Sequence, residues 1–338
     1  MLWLAGLMGL LAAGTVGVLE MDSGSKDDAE SDAPPDESGD IADIADTLSV
    51  TGIGEADGTD VSPSPETAGD APDGETPAAP DVTEALDGSE DDDLIEGTEA
   101  ADSIFGEEGD DTVNGLGGDD TLHGEDGNDQ LNGGDGDDAL FGHNANDTLD
   151  GGAGDDALQG SAGNDVLDGG AGDDAVQGGL DDDTVSGGLG TDSLFGGWGD
   201  DVVNGVEDDP DTAAFDDADD GDYLNGGSGD DTIIAGTGDV VTAGDGDDSI
   251  ILGDWIAEGS TASIMDFDAT EDDIVVVYDD ADTPPEITVQ SDTGNPTSVQ
   301  IMLDGVAVAQ VAGGAALVPD DIVLMPLSVA QASGMAPA

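Results

Sequence analysis

The chain has 338 residues, of which 84 are acidic and one, Lys26, is basic, so its formal net charge at neutral pH is -83. This balance makes nucleic acid and anionic membrane surfaces poor partners, because both reward Lys and Arg, and the lack of cysteine excludes disulfides. Aromatic residues are 3% of the chain and 56 residues are Gly, which leaves little for an ordinary globular core. Two interpretations fit: acidic disorder, or a repeat array whose partners are cations.

Two segments precede any repeat. Residues 2–19 carry no charge and are just long enough to cross a bilayer, which favours a membrane anchor. A secretory signal normally has a Lys or Arg before its apolar segment, and this chain has none there. A cleaved signal and a buried start nevertheless stay open as alternatives. Residues 20–87 are rich in Asp, Glu, Ser, Pro, Gly and Ala and predict a disordered, self-repelling acidic linker.

A nine-residue repeat begins at Gly88 and runs through thirteen uninterrupted copies to Asn204. Position one is Gly, position six is Asp, and position eight is Ile, Leu or Val in all thirteen. A twelve-residue insertion at residues 205–216 predicts a loop, and four more copies end at Ile251. The position-six aspartates of the seventeen copies are Asp93, Asp102, Asp111, Asp120, Asp129, Asp138, Asp147, Asp156, Asp165, Asp174, Asp183, Asp192, Asp201, Asp222, Asp231, Asp239 and Asp248.

The composition changes after the array. Residues 252–327 contain short β-branched segments separated by turn signals such as Asp304-Gly305, and these predict strands. We therefore expect a β-rich C-terminal cap that covers the last open edge of a solenoid. The tail, residues 328–338, is expected to be loose.

Position nine carries a second period superimposed on the first. Odd-numbered copies have polar or acidic residues there: Glu96, Asn114, Asn132, Asp150, Asp168, Ser186 and Asn204. Even-numbered copies have a different set: Phe105, His123, Phe141, Gln159, Gln177 and Phe195. The pattern predicts a coil of eighteen residues per turn, with one strand in each of two chemically different sheets. The sheet that carries the phenylalanines is then expected to differ from the other in packing or binding.

The position-six aspartates of successive turns are expected to repel one another unless a cation lies between them. Stacked turns place equivalent residues about 4.8 Å apart, and two carboxylates at that distance repel by roughly 3 kcal/mol at an effective dielectric of about 20. A divalent cation between the two carboxylates turns this repulsion into a net attraction. Carboxylate and glycine carbonyl oxygens are hard ligands, and the chain offers no thiolate and only two histidines, so Ca²⁺ is favoured over Zn²⁺, Cu²⁺ or Mg²⁺. We expect the folding of the array and the binding of several Ca²⁺ ions to be one event.

The copies GGAGDDALQ, GGDGDDALF and GGWGDDVVN resemble the RTX, or haemolysin-type, calcium-binding nonapeptide. The resemblance covers residues 88–251 and implies an all-β fold, a parallel β-roll with Ca²⁺ between successive turns. It implies that the seventeen aspartates and glycine carbonyls are the ligands. It also implies a Gram-negative bacterial product, commonly exported by a type I system that reads a C-terminal signal. Such chains stay unfolded in the low-calcium cytoplasm and fold outside.

Some copies depart from the family pattern. Position two is Gly in only six of the first thirteen, so the N-terminal turns are expected to bind weakly. Asp91, Ala100, Ala145 and Asp181 replace the glycine of position four, which puts calcium binding by those four turns in doubt. Residues 265–278 are similar to the segment that often follows such arrays.

Enzymatic signatures are missing from the sequence. A zinc protease of this type needs H-E-x-x-H, but His123 and His143 are twenty residues apart and are interpreted as exposed residues of turns or strand ends. There is no G-x-S-x-G elbow of a lipase, and no arginine to clamp a carboxylate or phosphate. We predict that the protein is not an enzyme. A secreted hydrolase with an unrecognised C-terminal domain stays the alternative.

The function predicted from the sequence is calcium binding by the repeat array, with folding on export. The product is expected to be extracellular, as a surface-associated structural or adhesive protein with a cell-surface or matrix partner. A freely secreted calcium-binding protein is one alternative. A form anchored through residues 2–19 and facing the periplasm or exterior is another.

Overall fold

The computed structural model describes residues 85–207, 217, 221–253, 255–256, 260–280, 283–292, 295, 297–313, 317–333 and 335. They form 24 strands, a 3-10 turn at Pro319–Asp321 and one helix, α1, at Leu327–Ser333. The strands are β1 (Ala85–Ser89), β2 (Leu94–Glu96), β3 (Ser103–Glu108), β4 (Thr112–Gly117), β5 (Thr121–Asp126), β6 (Gln130–Asp135), β7 (Ala139–Asn144), β8 (Thr148–Ala153), β9 (Ala157–Ala162), β10 (Val166–Ala171), β11 (Ala175–Leu180), β12 (Thr184–Leu189), β13 (Ser193–Trp198), β14 (Val202–Asn204), β15 (Tyr223–Ser228), β16 (Thr232–Ile234), β17 (Val240–Asp245), β18 (Ser249–Gly253), β19 (Ala262–Ile264), β20 (Asp273–Tyr278), β21 (Ile287–Ser291), β22 (Ser298–Leu303), β23 (Val306–Ala312) and β24 (Ile322–Pro326).

The strands alternate between two parallel sheets. Sheet A holds the odd-numbered strands β1 to β19 in order, and sheet B holds the even-numbered strands β2 to β20, ending at β24. Each strand of the array pairs with the strand one turn on, in most cases eighteen residues away, as in Leu140↔Leu158 of sheet A and Leu149↔Leu167 of sheet B. The separation is thirty residues across the insertion and seventeen at the shorter copy. The chain is thus a parallel β-solenoid with two nonapeptides per turn. The predicted fold class is confirmed.

The core is the space between the sheets. Strand side chains alternate between two faces, so position eight points inward and positions seven and nine point outward. The position-eight residues from Ile104 to Ile250 are 0–2% exposed and belong to one continuous hydrophobic cluster, to which both sheets contribute. Ile95, in the first copy, is only partly buried, because fewer turns cover it. One buried aliphatic per nonapeptide is what the repeat predicts.

The two outer faces differ, as the parity of position nine predicts. Sheet A presents Phe105, Phe141 and Phe195 outward, and Phe195 is 41% exposed. Sheet B presents Asn and Asp at the same place, for example Asn132 opposite Asp150. The phenylalanines therefore lie outside the core.

Beyond Ile251 the two sheets continue into the C-terminal region. In sheet A, β19 pairs with β23, and β23, β22 and β21 follow as antiparallel neighbours. In sheet B, β20 pairs with β18 and β24. Trp255 is 3% exposed, and its indole N–H donates to the carbonyl of Ala235 at 3.0 Å. This region packs onto the last turns of the coil and extends the same core.

The prediction of a loose C-terminal tail is wrong where the structure describes it. Helix α1 begins at Leu327, and its Ala330 is fully buried. Helix α1 contacts β20 and β24 at the end of sheet B, and local composition does not reveal this tertiary packing. The predicted anchor at 2–19, residues 20–84 of the predicted linker and residues 208–216 of the insertion lie outside the described residues. The prediction that the linker extends to residue 87 is wrong, because residues 85–87 belong to β1, which pairs with β3. Within the described residues, no helix is long and apolar enough to cross a membrane.

Candidate metal centre

The position-six aspartates form two rows, because each one comes directly before a strand and the strands stack. One row runs along sheet A and consists of Asp102, Asp120, Asp138, Asp156, Asp174, Asp192, Asp222 and Asp239. The other runs along sheet B and consists of Asp93, Asp111, Asp129, Asp147, Asp165, Asp183, Asp201, Asp231 and Asp248. The fold thus brings all seventeen sequence-predicted ligands into the two rows, which we call the carboxylate rows.

The carboxylate rows are buried. The sixteen aspartates from Asp102 to Asp248 are 0–3% exposed, which is rare for Asp unless it is paired or bound to a metal. The exception is Asp93 at the N-terminal end, which is half-buried and whose Oδ2 accepts a hydrogen bond from the Ser89 hydroxyl at 2.8 Å.

From Asp111 onward, one oxygen of each row carboxylate links two turns. The backbone N–H of Asp147 donates to Oδ1 of Asp165 at 2.8 Å, and the same bond recurs along both rows. It also spans the insertion, since the N–H of Asp192 donates to Oδ1 of Asp222, thirty residues on, at 2.7 Å. The insertion therefore leaves the rows continuous.

In most row carboxylates the other oxygen has no hydrogen-bond partner, although the N–H of Gly236 donates to Oδ2 of Asp239 at 2.6 Å. Among the described residues, Oδ2 is buried without a hydrogen bond in fourteen aspartates: Asp111, Asp120, Asp129, Asp138, Asp147, Asp156, Asp165, Asp174, Asp183, Asp192, Asp201, Asp222, Asp231 and Asp248. Asp102 differs, because Thr98 donates to its Oδ2 and its Oδ1 is the unpartnered atom. A buried polar atom left unpaired is unfavourable by about 1–3 kcal/mol. Fourteen such anionic oxygens in two regular rows fit the ligand set of a series of cations.

Position-one glycines make room for these oxygens. A Cβ on Gly169 would lie 2.5 Å from Oδ2 of Asp174 and 2.6 Å from the carbonyl oxygen of Gly187, one turn on. Only glycine lets a carboxylate and a carbonyl oxygen approach so closely. Each repeat therefore places hard oxygen donors side by side, the donor set that Ca²⁺ prefers.

Burial and mutual repulsion raise the pKa values of the row carboxyls. The largest cause is desolvation, and neighbouring carboxylates of the same row add to it, while the N–H bond to Oδ1 opposes it. From an ordinary 3.8, the pKa rises to about 6 at Asp120, Asp129, Asp156, Asp165, Asp192 and Asp201, to about 7 at Asp147, Asp174, Asp231 and Asp239, and to about 8 at Asp183 and Asp222. Carboxylates held so closely need either protons or cations.

One member of the sheet B row was not predicted from the sequence. Asp272 is 9% exposed, and its Oδ1 accepts the N–H of Asp248 at 3.4 Å. Asp272 stands two residues before Ile274, which pairs with Ile250. This is the spacing of positions six and eight, so the sequence Asp272-Asp273-Ile274 carried the signal.

The departures at position four do not break the coil. Ala145 and Asp181 adopt φ values of 77° and 72°, the left-handed region that the family glycine occupies without strain. Whether the turns with these substitutions bind calcium weakly stays a prediction.

A family model for the RTX calcium-binding nonapeptide repeat (four copies) matches residues 87–122, 114–149, 141–176, 150–185, 177–209 and 217–250. These matches cover the strands whose preceding aspartates form the two rows. No curated protein matches the chain.

Proposed function

We propose a function on the premise that this chain belongs to the RTX calcium-binding nonapeptide repeat family: its carboxylate rows hold Ca²⁺ ions whose binding folds the coil. Calcium binding by a β-roll with stacked aspartates follows from the family. The ligand assignment is ours. The ligands would be Oδ2 of the row aspartates, with glycine carbonyl oxygens of the adjoining turns.

The observation that carries the assignment is the row of buried, unpartnered Oδ2 atoms beside backbone carbonyls. Calcium would supply positive charge where carboxylates of successive turns repel each other. The chain's own atoms do the rest: Oδ1 stays bonded to the neighbouring turn and fixes the carboxylate, while the position-one glycine leaves space for the buried Oδ2. Hard oxygen donors with flexible coordination suit Ca²⁺ better than Mg²⁺, which keeps its waters.

Coupling of folding to binding follows from the same geometry. Without a cation, each turn adds a buried carboxylate beside another, at roughly 3 kcal/mol of repulsion for a separation of about 5 Å and an effective dielectric of about 20. A chain with a formal net charge of -83 has a single basic residue, Lys26, to offset this. We therefore propose that the array is unfolded at low calcium and folds where calcium is abundant, as on export from the cell.

The setting that fits these properties is the cell exterior. RTX repeat proteins are typically secreted, and a calcium-stiffened acidic coil suits a surface-associated structural or adhesive role. A freely secreted calcium-binding protein is the second candidate, and a hydrolase with its site in the C-terminal region is the third. Fractionation of the producing cells into membrane, surface and medium separates the first two, and a substrate screen tests the third.

The ligand assignment is tested by calorimetric titration of Ca²⁺ into the full chain and into the triple variant Asp129→Asn, Asp147→Asn, Asp165→Asn. These residues are consecutive in the sheet B row, so the variant is expected to bind fewer Ca²⁺ ions with weaker cooperativity.

A matched control removes three charges outside the rows: Glu99→Gln, Glu108→Gln, Asp135→Asn, all at exposed positions. The control is expected to bind as many Ca²⁺ ions as the unmodified chain. Equal losses in both variants would mean that net charge, and not the rows, governs binding.

A further inference from the structure

The chain's two histidines, His123 and His143, lie together on the outer face of sheet A, away from the carboxylate rows. Nδ1 of His123 is 2.9 Å from Nε2 of His143, and Oε1 of Glu125 is 3.9 Å from the same Nε2. One ligand atom from each of the three residues falls within 4.8 Å of the others. The interpretation of the histidines as exposed residues of turns or strand ends holds only in part: His143 stands one residue before the end of β7, but His123 lies within β5 and both are half-buried.

The solenoid itself brings the three together. Glu125 in β5 pairs directly with His143 in β7, eighteen residues on. His123 stands two residues before Glu125, so both point to the same face of the strand. The cluster is therefore fixed by strand register and does not depend on a loop.

The backbone at two of these positions favours glycine. Glu125 and His143 occupy position two with φ values of 76° and 78°, where most later copies have glycine. A non-glycine residue in this region is unfavourable by about 1–3 kcal/mol, and such strain clusters at functional sites. In sheet B the glycine is present from Gly134 onward, whereas sheet A keeps polar side chains at this position as far as Ser161.

Two aromatic rings hold His123 in place. Its imidazole lies between Phe105 and Phe141, at centroid distances of 4.6 and 4.8 Å and interplanar angles of 1° and 10°. The His143 ring is 5.3 Å from that of His123. The stacking limits rotation of His123 and keeps Nδ1 facing His143, which reduces the entropy lost when both rings bind one ion.

We propose that His123, Glu125 and His143 form a binding site for one divalent transition metal of the Zn²⁺ class, distinct from the calcium rows. Two imidazole nitrogens and one carboxylate oxygen are the borderline donor set that suits Zn²⁺ and disfavours Ca²⁺. The two facing nitrogens share one proton in the absence of metal. On binding, that proton moves to the other nitrogen of its ring, and both facing nitrogens become ligands. The side chains of His143 and Glu125 are 34% and 43% exposed, so water completes the coordination.

The test is a calorimetric titration of ZnCl₂ into the full chain in saturating Ca²⁺, which keeps the carboxylate rows occupied. The unmodified chain is expected to bind one Zn²⁺. His123→Gln, His143→Gln and Glu125→Gln should each weaken that binding about tenfold or more, since even outer residues of a metal site typically matter by 10–100-fold. Glu108→Gln removes an exposed carboxylate of the neighbouring strand β3 and should leave the affinity unchanged.

A second measurement keeps the proposal falsifiable if a variant misfolds. In the unmodified chain, labelled with ¹⁵N, one equivalent of Zn²⁺ should shift one ring nitrogen of each histidine to the range of a metal-bound imidazole. No Zn²⁺ binding in saturating Ca²⁺, ring nitrogens that do not shift, or equal binding by the histidine variants would overturn the proposal. The pair would then be only a hydrogen bond within an aromatic stack.

Discussion

The backbone N–H of Asp138 donates to Oδ1 of Asp156, eighteen residues along the chain, at 2.7 Å. This bond joins two turns through the same carboxylate whose Oδ2 is buried without a partner. The fourteen row aspartates with this arrangement therefore have two separate tasks: one oxygen fixes the register of the coil, and the other is available to a cation.

Removing a single charge from a row should weaken calcium binding. Asp138→Asn keeps an acceptor for the neighbouring N–H but loses the anionic Oδ2, so the calcium-loaded fold should lose about 1–3 kcal/mol of unfolding free energy. Asp135→Asn, three residues away and exposed, should have little effect. Urea unfolding at fixed Ca²⁺ measures both, and equal effects would argue against the assignment of Oδ2 as ligand.

Protonation of the row carboxyls at acid pH should partly replace calcium in stabilising the folded coil. Because burial raises the pKa of row carboxyls such as Asp147 and Asp183 to about 7 and 8, the metal-free coil binds more protons than the unfolded chain. Its stability is then greatest below about pH 4 and declines as pH rises through 6 to 8. Circular dichroism in chelator should show β structure at acid pH that is lost toward neutrality, and saturating Ca²⁺ should abolish this loss. A metal-free chain equally folded at pH 4 and pH 8 would contradict the account.

The glycine of position one should not tolerate a methyl group. Gly169→Ala places a Cβ 2.5 Å from Oδ2 of Asp174, so backbone shifts are required, typically at about 1–3 kcal/mol, and calcium affinity should fall with stability. Gly117→Ala is the matched control, since its nearest neighbour would be 3.5 Å away. Thermal unfolding in Ca²⁺ should separate the two variants, and a tolerated alanine at 169 would exclude the close approach.

Replacing a non-glycine residue of position four by glycine should stabilise the folded coil. Ala145 has a φ of 77°, and Ala145→Gly relieves strain of the order of 1 kcal/mol in the folded state, although glycine also makes the unfolded chain more flexible. We expect a modest gain in unfolding free energy and a lower calcium midpoint for folding. Ala139→Gly, in the β-strand next to it, should instead destabilise the coil. A loss of stability in both variants would show that this position carries no strain.

The fold of the array could be predicted from the sequence because the nine-residue repeat sets the position of every strand in it. Position eight points inward in every nonapeptide, and the parity of position nine by itself indicates two sheets. The spacing changes after Ile251, where Ile250 pairs with a residue 24 positions on, so Asp272 could be found only from its local distance to Ile274. Helix α1 depends on a tertiary contact of Ala330, which leaves no periodic signal.

The histidine cluster shows a different limit. His123 and His143 are twenty residues apart, which matches no local metal motif and suggests unrelated positions. Glu125 and His143 both depart from the repeat and are eighteen residues apart, so the eighteen-residue period predicts that they pair. The same period places His123 beside them. Departures from a repeat therefore need to be compared across turns, and not only along the chain.

The most direct test of the account is a Ca²⁺ titration of the full chain at neutral pH, followed by circular dichroism and by small-angle scattering. We predict an expanded chain with little β structure in chelator, and a cooperative gain of β structure with compaction as Ca²⁺ is added, which equal concentrations of Mg²⁺ do not reproduce. A chain that is already compact and β-rich in chelator at neutral pH, or that does not respond to Ca²⁺, would contradict the claim that calcium binding and folding are one event.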